Sequence, residues 1–325
     1  MKKNINTKDL KIGMYIEINE KWFKHPFFSN HFKITSENQI KKIQDNDIAE
    51  VFVDFDKSDQ TWHTEEPIIE EKYEEVRLRV SIMPEDFKEK INDPNIKLEE
   101  RSKIVYTSSI DMMKNILDEP TDENIGEFKK GAEEIVSFIM KNEDVTKYLL
   151  NITDFDQYTY THSVNVGLYS ILLAKSLFGD SSEHDMKKLG AGFFLHDLGK
   201  VRVDNDILNK NGKLTAEEFN NIKLHVVKGY ELLKETNHLT DEAKIIVLQH
   251  HERYEGNGYP YGLRGDEIHI YSKICAIADI FDAFTSNRPY RKPMPAFKAL
   301  QKMKEQMIGH FQEDLFNKFV LLFKD

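Results

Sequence analysis

The 325-residue chain has a single cysteine, Cys275, so it can form no internal disulfide and no metal site built on several thiolates. Metal chemistry would have to use imidazoles and carboxylates. Positive charge is also scarce: 45 Lys and Arg face 56 Asp and Glu, a formal net charge of −11. That field opposes non-specific binding to nucleic acid or an anionic membrane, and a phosphate-bearing ligand would need a local basic patch. No window approaches 18 uncharged apolar residues, and the residues after Met1 are polar where a signal peptide would be apolar. These absences point to a cytoplasmic protein with neither nucleic-acid nor membrane partners. The chain also lacks a fixed-period repeat, which excludes solenoids and propellers. What is present, 40% hydrophobic and 31% charged residues, suits a globular protein with one small and one larger domain.

Met14-Tyr15-Ile16-Glu17-Ile18 and Val51-Phe52-Val53-Asp54-Phe55 alternate as strands do, and Glu37 to Ile43 is a short amphipathic stretch. Residues 1–56 therefore read as a small β-rich (α+β) domain. Residues 57–82 carry a dense run of Glu and no periodicity, the signature of a linker. From residue 83 to 325 the apolar period is helical, with long stretches from Leu98 to Leu117 and Ile125 to Met140. The fold class expected is mainly α. The amphipathic character of those two stretches would allow a homodimer. Thr215 with Glu218 forms a capping-box pattern, with Leu214 and Phe219 placed as a hydrophobic staple, before a helix running through His225. Ser182 with Asp185 starts a helix toward His196, and Thr240 caps one toward His250.

Five histidines, His162, His196, His225, His250 and His251, fall on or at the ends of these apolar helices. One such histidine is ordinarily a core residue bonded to a carbonyl; the set is what argues for a site. Asp197 and Asp279 sit in equally apolar runs, where an unpaired carboxylate costs several kcal/mol, on the order of the buried-ion penalty. A cation ligated by imidazoles and carboxylates satisfies both groups.

His196-Asp197-Leu198-Gly199-Lys200, His250-His251-Glu252-Arg253 and Gly256-Asn257-Gly258-Tyr259-Pro260 resemble the HD-GYP domain, a branch of the His-Asp phosphohydrolases. The match runs from about Asp154 to Asp325 and takes in His162, His225, Asp279-Ile280-Phe281-Asp282-Ala283 and Arg288-Pro289-Tyr290-Arg291. The resemblance implies an all-helical bundle and hydrolysis of cyclic di-GMP to pGpG and on to GMP. It implies a two-metal centre with Asp197 bridging, His162, His196 and Asp279 completing one site, and His225, His250 and His251 the other. Iron is favoured, with manganese as a working substitute. Members with a third metal carry a glutamate where this chain has Tyr158, so two ions are expected here. Metals roughly 3.5–4 Å apart can activate a shared water and neutralise charge on phosphorus.

Lys200, a turn beyond His196, is expected to stabilise a phosphate oxygen. Arg288 and Arg291, three apart, would grip phosphate from one face and supply the patch that the net charge demands. Asp282 follows Asp279 on the same face and is expected to bond a ligand or substrate. Gly258, Tyr259 and Pro260 form a turn-rich loop bordering the site, linked in the family to partner contacts, with diguanylate cyclases (GGDEF proteins) as expected partners. Glu252 reads either as an acceptor for an imidazole N–H or as a solvated carboxylate, and Cys275 as a core thiol. Asp9 to Ile16, Trp22, Pro26-Phe27 and Val51 to Asp54 resemble the small uncharacterised domain that often precedes HD-GYP domains. His25 and His31 lie there without carboxylate company. Two alternatives stay open. One is action on another nucleotide, which the intact Gly-Tyr-Pro argues against; the other is a cyclic di-GMP receptor with little turnover.

Overall fold

The computed structural model describes residues 2–18, 31–46, 48–59, 81–153, 159–179, 181–208, 210, 212–286 and 293–324. Trp22, His25, Pro26 and Phe27, most of the expected linker, Tyr158, Arg288 and Arg291 lie outside them. The chain divides into two compact units, Met1–Val80 with Asp204–Lys210, and Ser81–Val203 with Asn211–Asp325. This division matches the expected order of a small β-containing part followed by a helical one. The return of Asp204–Lys210 to the first unit has no signal in local sequence.

In the first unit, strands β1 (Lys2–Asn6), β2 (Tyr15–Glu17), β3 (His31–Lys33) and β4 (Glu50–Asp54) form an antiparallel sheet in the order β1-β4-β2-β3. Register pairs Ile16 with both Val53 and Phe32, which stacks alternate residues onto one face. Helix α1 (Glu37–Asp45) covers that face: Ile40 and Ile43 join Ile16, Ile34, Val51 and Val53 in one apolar core. Ser36 caps α1 by accepting from the Gln39 amide. β1 gives no strand signal in the sequence because Lys2–Asn6 has almost no buried side chain to alternate.

The helical unit contains α2 (Phe87–Asn92), α3 (Leu98–Asp118), α4 (Asp122–Lys141), α5 (Val145–Ile152), α6 (Thr159–Phe178) and α7 (Met186–Phe194). The short α8 (Asn205–Leu208) falls in the segment that belongs to the first unit. The helical unit resumes with α9 (Ala216–Lys223), α10 (His225–Glu235), α11 (Asp241–Gln249), α12 (Ile270–Thr285), α13 (Ala296–Met307) and α14 (Glu313–Leu321). α6 has apolar residues all round, from Val164 to Ala174, and accordingly lies at the centre, packed on α7 and α12. Its one charge, Lys175, donates to the carbonyls of Ile139 and Asn142 at the end of α4. The apolar faces of α3 and α4, which the sequence left open to a dimer, are buried inside the unit through Val105, Met112, Ile116, Phe128, Ile135 and Phe138.

Helix starts follow the caps. Thr215 and Glu218 close a capping box, Thr240 accepts from the Ala243 amide, and Asp185, not Ser182, caps α7. Two details differ from expectation. Phe219 is exposed, so the staple does not cover it, and the helix thought to run through His225 breaks at Leu224. There the His225 Nδ1 takes the Ile222 carbonyl, and the chain restarts as α10.

Candidate metal centre

Each histidine of the cluster is aimed by a contact within its own neighbourhood. His196 follows the end of α7 and its Nδ1–H donates to the Phe193 carbonyl at 2.8 Å. His225 opens α10 with Nδ1–H on the Ile222 carbonyl at 2.7 Å, and His250 ends α11 with Nδ1 against the carbonyls of Ile246 and Val247. A carbonyl can only accept, so all three rings carry a proton on Nδ1 and turn Nε2 inward. His162, on α6, donates Nδ1–H to Asp282 Oδ2 at 2.6 Å. His251 is oriented by a ring instead, stacked on Tyr259 with centroids 4.6 Å apart.

The inward atoms meet around two carboxylates. Asp197 Oδ1 lies 3.2 Å from His225 Nε2 and 3.7 Å from His250 Nε2, while its Oδ2 lies 3.4 Å from both His162 Nε2 and His196 Nε2. Asp279 places Oδ1 3.2 Å from His162 Nε2 and Oδ2 3.6 Å from His251 Nδ1. All seven side chains singled out from the sequence thus converge, as one group of Asp197, His225, His250 and His251 and another of His162, His196 and Asp279.

The donor set fits a pair of cations. Donors about 2.0–2.2 Å from a first-row ion stand about 3–4 Å from one another, the range of these separations. His225 Nε2 and His250 Nε2 face each other at 3.4 Å, and His196 Nε2 and Asp197 Oδ1 are buried without a hydrogen-bond partner. Lone pairs so placed are unfavourable unless positive charge sits between them.

Burial drives the charge balance of the site. It opposes ionisation of Asp197, yet Lys200, His196 and His162 hold its carboxyl well below the usual range. Burial likewise opposes the charged form of Asp279, which His162 and His251 keep ionised. Desolvation pushes His225 down, and pushes His251 well down with help from His250. Burial disfavours charge on His162 too, but hydrogen bonds to Asp197, Asp279 and Asp282 prevail and raise it to about 10. The carboxylates therefore call for positive charge at this point, carried by a proton on His162 or by a cation.

Supporting residues depart from several expectations. Asp282 is fully buried, and its oxygens accept from His162 Nδ1, Asn165 Nδ2 at 2.8 Å and Ser286 Oγ at 2.8 Å; it orients the His162 ring and has no face left for substrate. Tyr106 donates to Asn165, extending the support to α3. Asn165 was missed, although its place three residues after His162 puts it on the same face of α6. Lys200 pairs its ammonium with Asp197 Oδ2 at the rim of the site. Glu252 does neither of the things expected: buried, it accepts from the amides of Tyr261 and Leu263 at 2.7 and 3.0 Å and so clamps the Gly-Tyr-Pro loop.

Gly258 serves close approach and not positive φ, because a Cβ there would lie 2.4 Å from the backbone at Arg253 and Glu252. That approach lets the Tyr259 amide donate to the His251 carbonyl, and Pro260 follows across a cis bond. Gly199 has the same purpose where the short 3-10 turn after Asp197 crosses α10, a Cβ meeting the His225 carbonyl at 1.9 Å. Cys275 is buried, its thiol pushed well up by burial, and takes no place among the donors.

A helical unit that closes on a buried His-Asp cluster invites comparison with known proteins, which shows what its segments are similar to. Residues 171–315 match the family described as HD domain, and residues 2–130 match a domain of unknown function, DUF3391. The chain thus carries a segment similar to the HD domain, preceded by one similar to DUF3391. It is 28% identical to the cyclic di-GMP phosphodiesterase PA4108 of Pseudomonas aeruginosa over 98% of this chain and 76% of that protein. A cyclic di-GMP phosphodiesterase of Thermotoga maritima is 34% identical over 61% of this chain and 54% of its own length. The 3'3'-cGAMP-specific phosphodiesterase 3 of Vibrio cholerae is 39% identical over 46% of this chain and 32% of its own length. The fold matches that of Bd1817, an HD-GYP-type protein from Bdellovibrio bacteriovorus, with a TM-score of 0.62 at 19% identity over the whole of both chains. Among the described residues no helix is long and apolar enough to cross a membrane.

Proposed function

We propose that the chain is a metal-dependent phosphodiesterase that hydrolyses cyclic di-GMP to pGpG and on to GMP. The observation that carries this reading is the sharing of Asp197: one carboxylate offers Oδ1 to one group of histidines and Oδ2 to the other. Two divalent cations held there would supply an activated water nucleophile and neutralise charge building on phosphorus. Iron suits five imidazoles and two carboxylates, and manganese can replace it.

The chain's own groups prepare that site. His196, His225 and His250 arrive already oriented, with Nδ1–H held on backbone carbonyls and Nε2 turned to the site. Asp282 holds the His162 ring in line from behind. Lys200, partly exposed beside Asp197, turns its ammonium to a non-bridging phosphate oxygen when substrate enters, and Arg288 and Arg291 add further positive charge. Tyr259 packs its ring on His251 and so holds that imidazole against the cluster.

The test is chromatography of products after incubating cyclic di-GMP, and separately 3'3'-cGAMP, with anaerobically purified protein supplied with Fe(II) or Mn(II). Linear pGpG or GMP formed faster than cGAMP is opened supports the reading. Preference for 3'3'-cGAMP moves the substrate to the other cyclic dinucleotide, and binding without product makes the chain a receptor.

A further inference from the structure

Lys223 is the last residue of α9, beside the break at Leu224. Its ammonium lies 4.7 Å from the centroid of the Phe219 ring and 5.4 Å from that of Tyr259. Those rings are its partners; no carboxylate among the described residues pairs with it, in a chain whose acids outnumber its bases by eleven. Aromatic faces hold a cation in place through the ring quadrupole and leave its charge intact, whereas a carboxylate would cancel it. Lys223 is thus a cation fixed in position and open to an anion. Tyr259 separates it from His251 by one ring, since the two rings stack at 4.6 Å. Phe219, nearly half exposed, leaves the approach from solvent free.

We infer that Lys223 binds the second, non-scissile phosphate of a cyclic dinucleotide, an inference that rests on the reading in the preceding subsection. A cyclic dinucleotide carries two phosphodiesters, and only one can occupy the position shared by the two groups of donors. The other must lie beyond the rim with its charge unmet unless the protein answers it. Lys200 sits on the Asp197 Oδ2 side, with His162 and His196, whereas Lys223 sits behind Tyr259 on the His251 side. The two lysines therefore serve different partners at the cluster, Lys200 the shared carboxylate and Lys223 the ring that stacks on His251. The break between α9 and α10 lets neighbouring residues differ in this way: His225 turns inward while Lys223 ends α9 against Phe219 and Tyr259. Lys223 is accordingly a substrate-discriminating residue, favouring dinucleotides over phosphodiesters with a single phosphate.

The experiment compares the wild type with Lys223→Met, which keeps the apolar stem between the rings, and Lys223→Arg, which keeps the charge. Binding of a phosphorothioate analogue of cyclic di-GMP to the metal-loaded proteins is measured by calorimetry. KM and kcat are measured for cyclic di-GMP and for bis(p-nitrophenyl) phosphate, which has one phosphate. K223M should raise Kd and KM for the dinucleotide roughly tenfold or more, the loss of one charge-assisted contact, with kcat moving less than about threefold. The loss on bis(p-nitrophenyl) phosphate should be far smaller, and K223R should recover most of the binding. Unchanged dinucleotide affinity in K223M, with an active wild type, overturns the inference. Equal loss on both substrates with loss of bound metal also overturns it, since Lys223 would then only prop Tyr259 against His251. A wild type that cleaves bis(p-nitrophenyl) phosphate but neither binds nor cleaves the dinucleotide removes the underlying reading and the inference with it.

Discussion

The two units bury polar groups in opposite ways. In the first, each buried polar side chain is answered locally: Thr7 donates to the Ile48 carbonyl, Gln39 accepts from the Thr35 amide, and Ser58 bridges Tyr15 and Asp54. Its core is otherwise aliphatic and aromatic, and among the described residues no buried side-chain atom there lacks a partner. In the helical unit the core encloses five histidines and two aspartates, and two of their inward atoms have no hydrogen bond at all. Folding stability accounts for the first arrangement. The second costs stability when the chain is alone, and makes sense only for a site completed by something from outside.

Four measurements put this contrast at risk, in descending order of expected effect. Asp197→Asn keeps the shape but halves the acceptors that the two groups share. It should cut turnover of cyclic di-GMP about ten-thousandfold, ~5.5 kcal/mol in barrier, with unchanged helical circular dichroism. A folded variant with full activity would refute the shared carboxylate. Ile16→Ala should act the other way, destabilising the first unit by about 2–5 kcal/mol through a cavity beneath the sheet. Hydrogen exchange resolved by peptide should rise in residues 2–18 and 48–59; protection there equal to wild type would mean that the core tolerates the void.

Chelation comes third. Ions present at about a hundred times their dissociation constant stabilise by ~2.7 kcal/mol, so stripping them should lower the melting midpoint and raise exchange in α7, α10 and α11 while leaving the sheet as it was. Exchange that rises in the sheet alone would invert the contrast. Smallest is Glu252→Gln, which sets an amide N–H2 against the donors it now serves. We expect a loss of about 1–2 kcal/mol, read as a several-fold fall in kcat/KM with the metals still bound. Loss of the metals themselves would make Glu252 a support of His251 and not of the loop.

Much of the molecule was legible where information is local. Capping residues such as Thr215 and Thr240 lie within four residues of the amides they serve, so the helix starts could be read directly. The seven cluster residues stood out because imidazoles and carboxylates are costly in apolar runs unless a proton or a cation answers them. What stayed hidden depends on distance or on the absence of pattern. β1 has only Ile5 to offer the core and pairs with β4 nearly fifty residues away. Asp204–Lys210 gives no local sign that it belongs with the first unit, where Ser36 donates to Asp206. Glu252 read either as an imidazole's acceptor, beside His250 and His251, or as a solvated carboxylate, yet the helix end turns its side chain toward the amides nine and eleven residues further on.

His196, His225 and His250 are each steadied by a carbonyl three or four residues earlier in the same chain segment. Their aim is therefore inherited from the way a helix ends or begins, and owes little to whatever packs around them. Each imidazole travels with its own mount, as a self-contained cartridge of five residues. Surrounding core side chains could be exchanged for others of similar volume without re-aiming the donors, and a designer could transplant such cartridges onto any bundle whose helix ends meet at the same spacing.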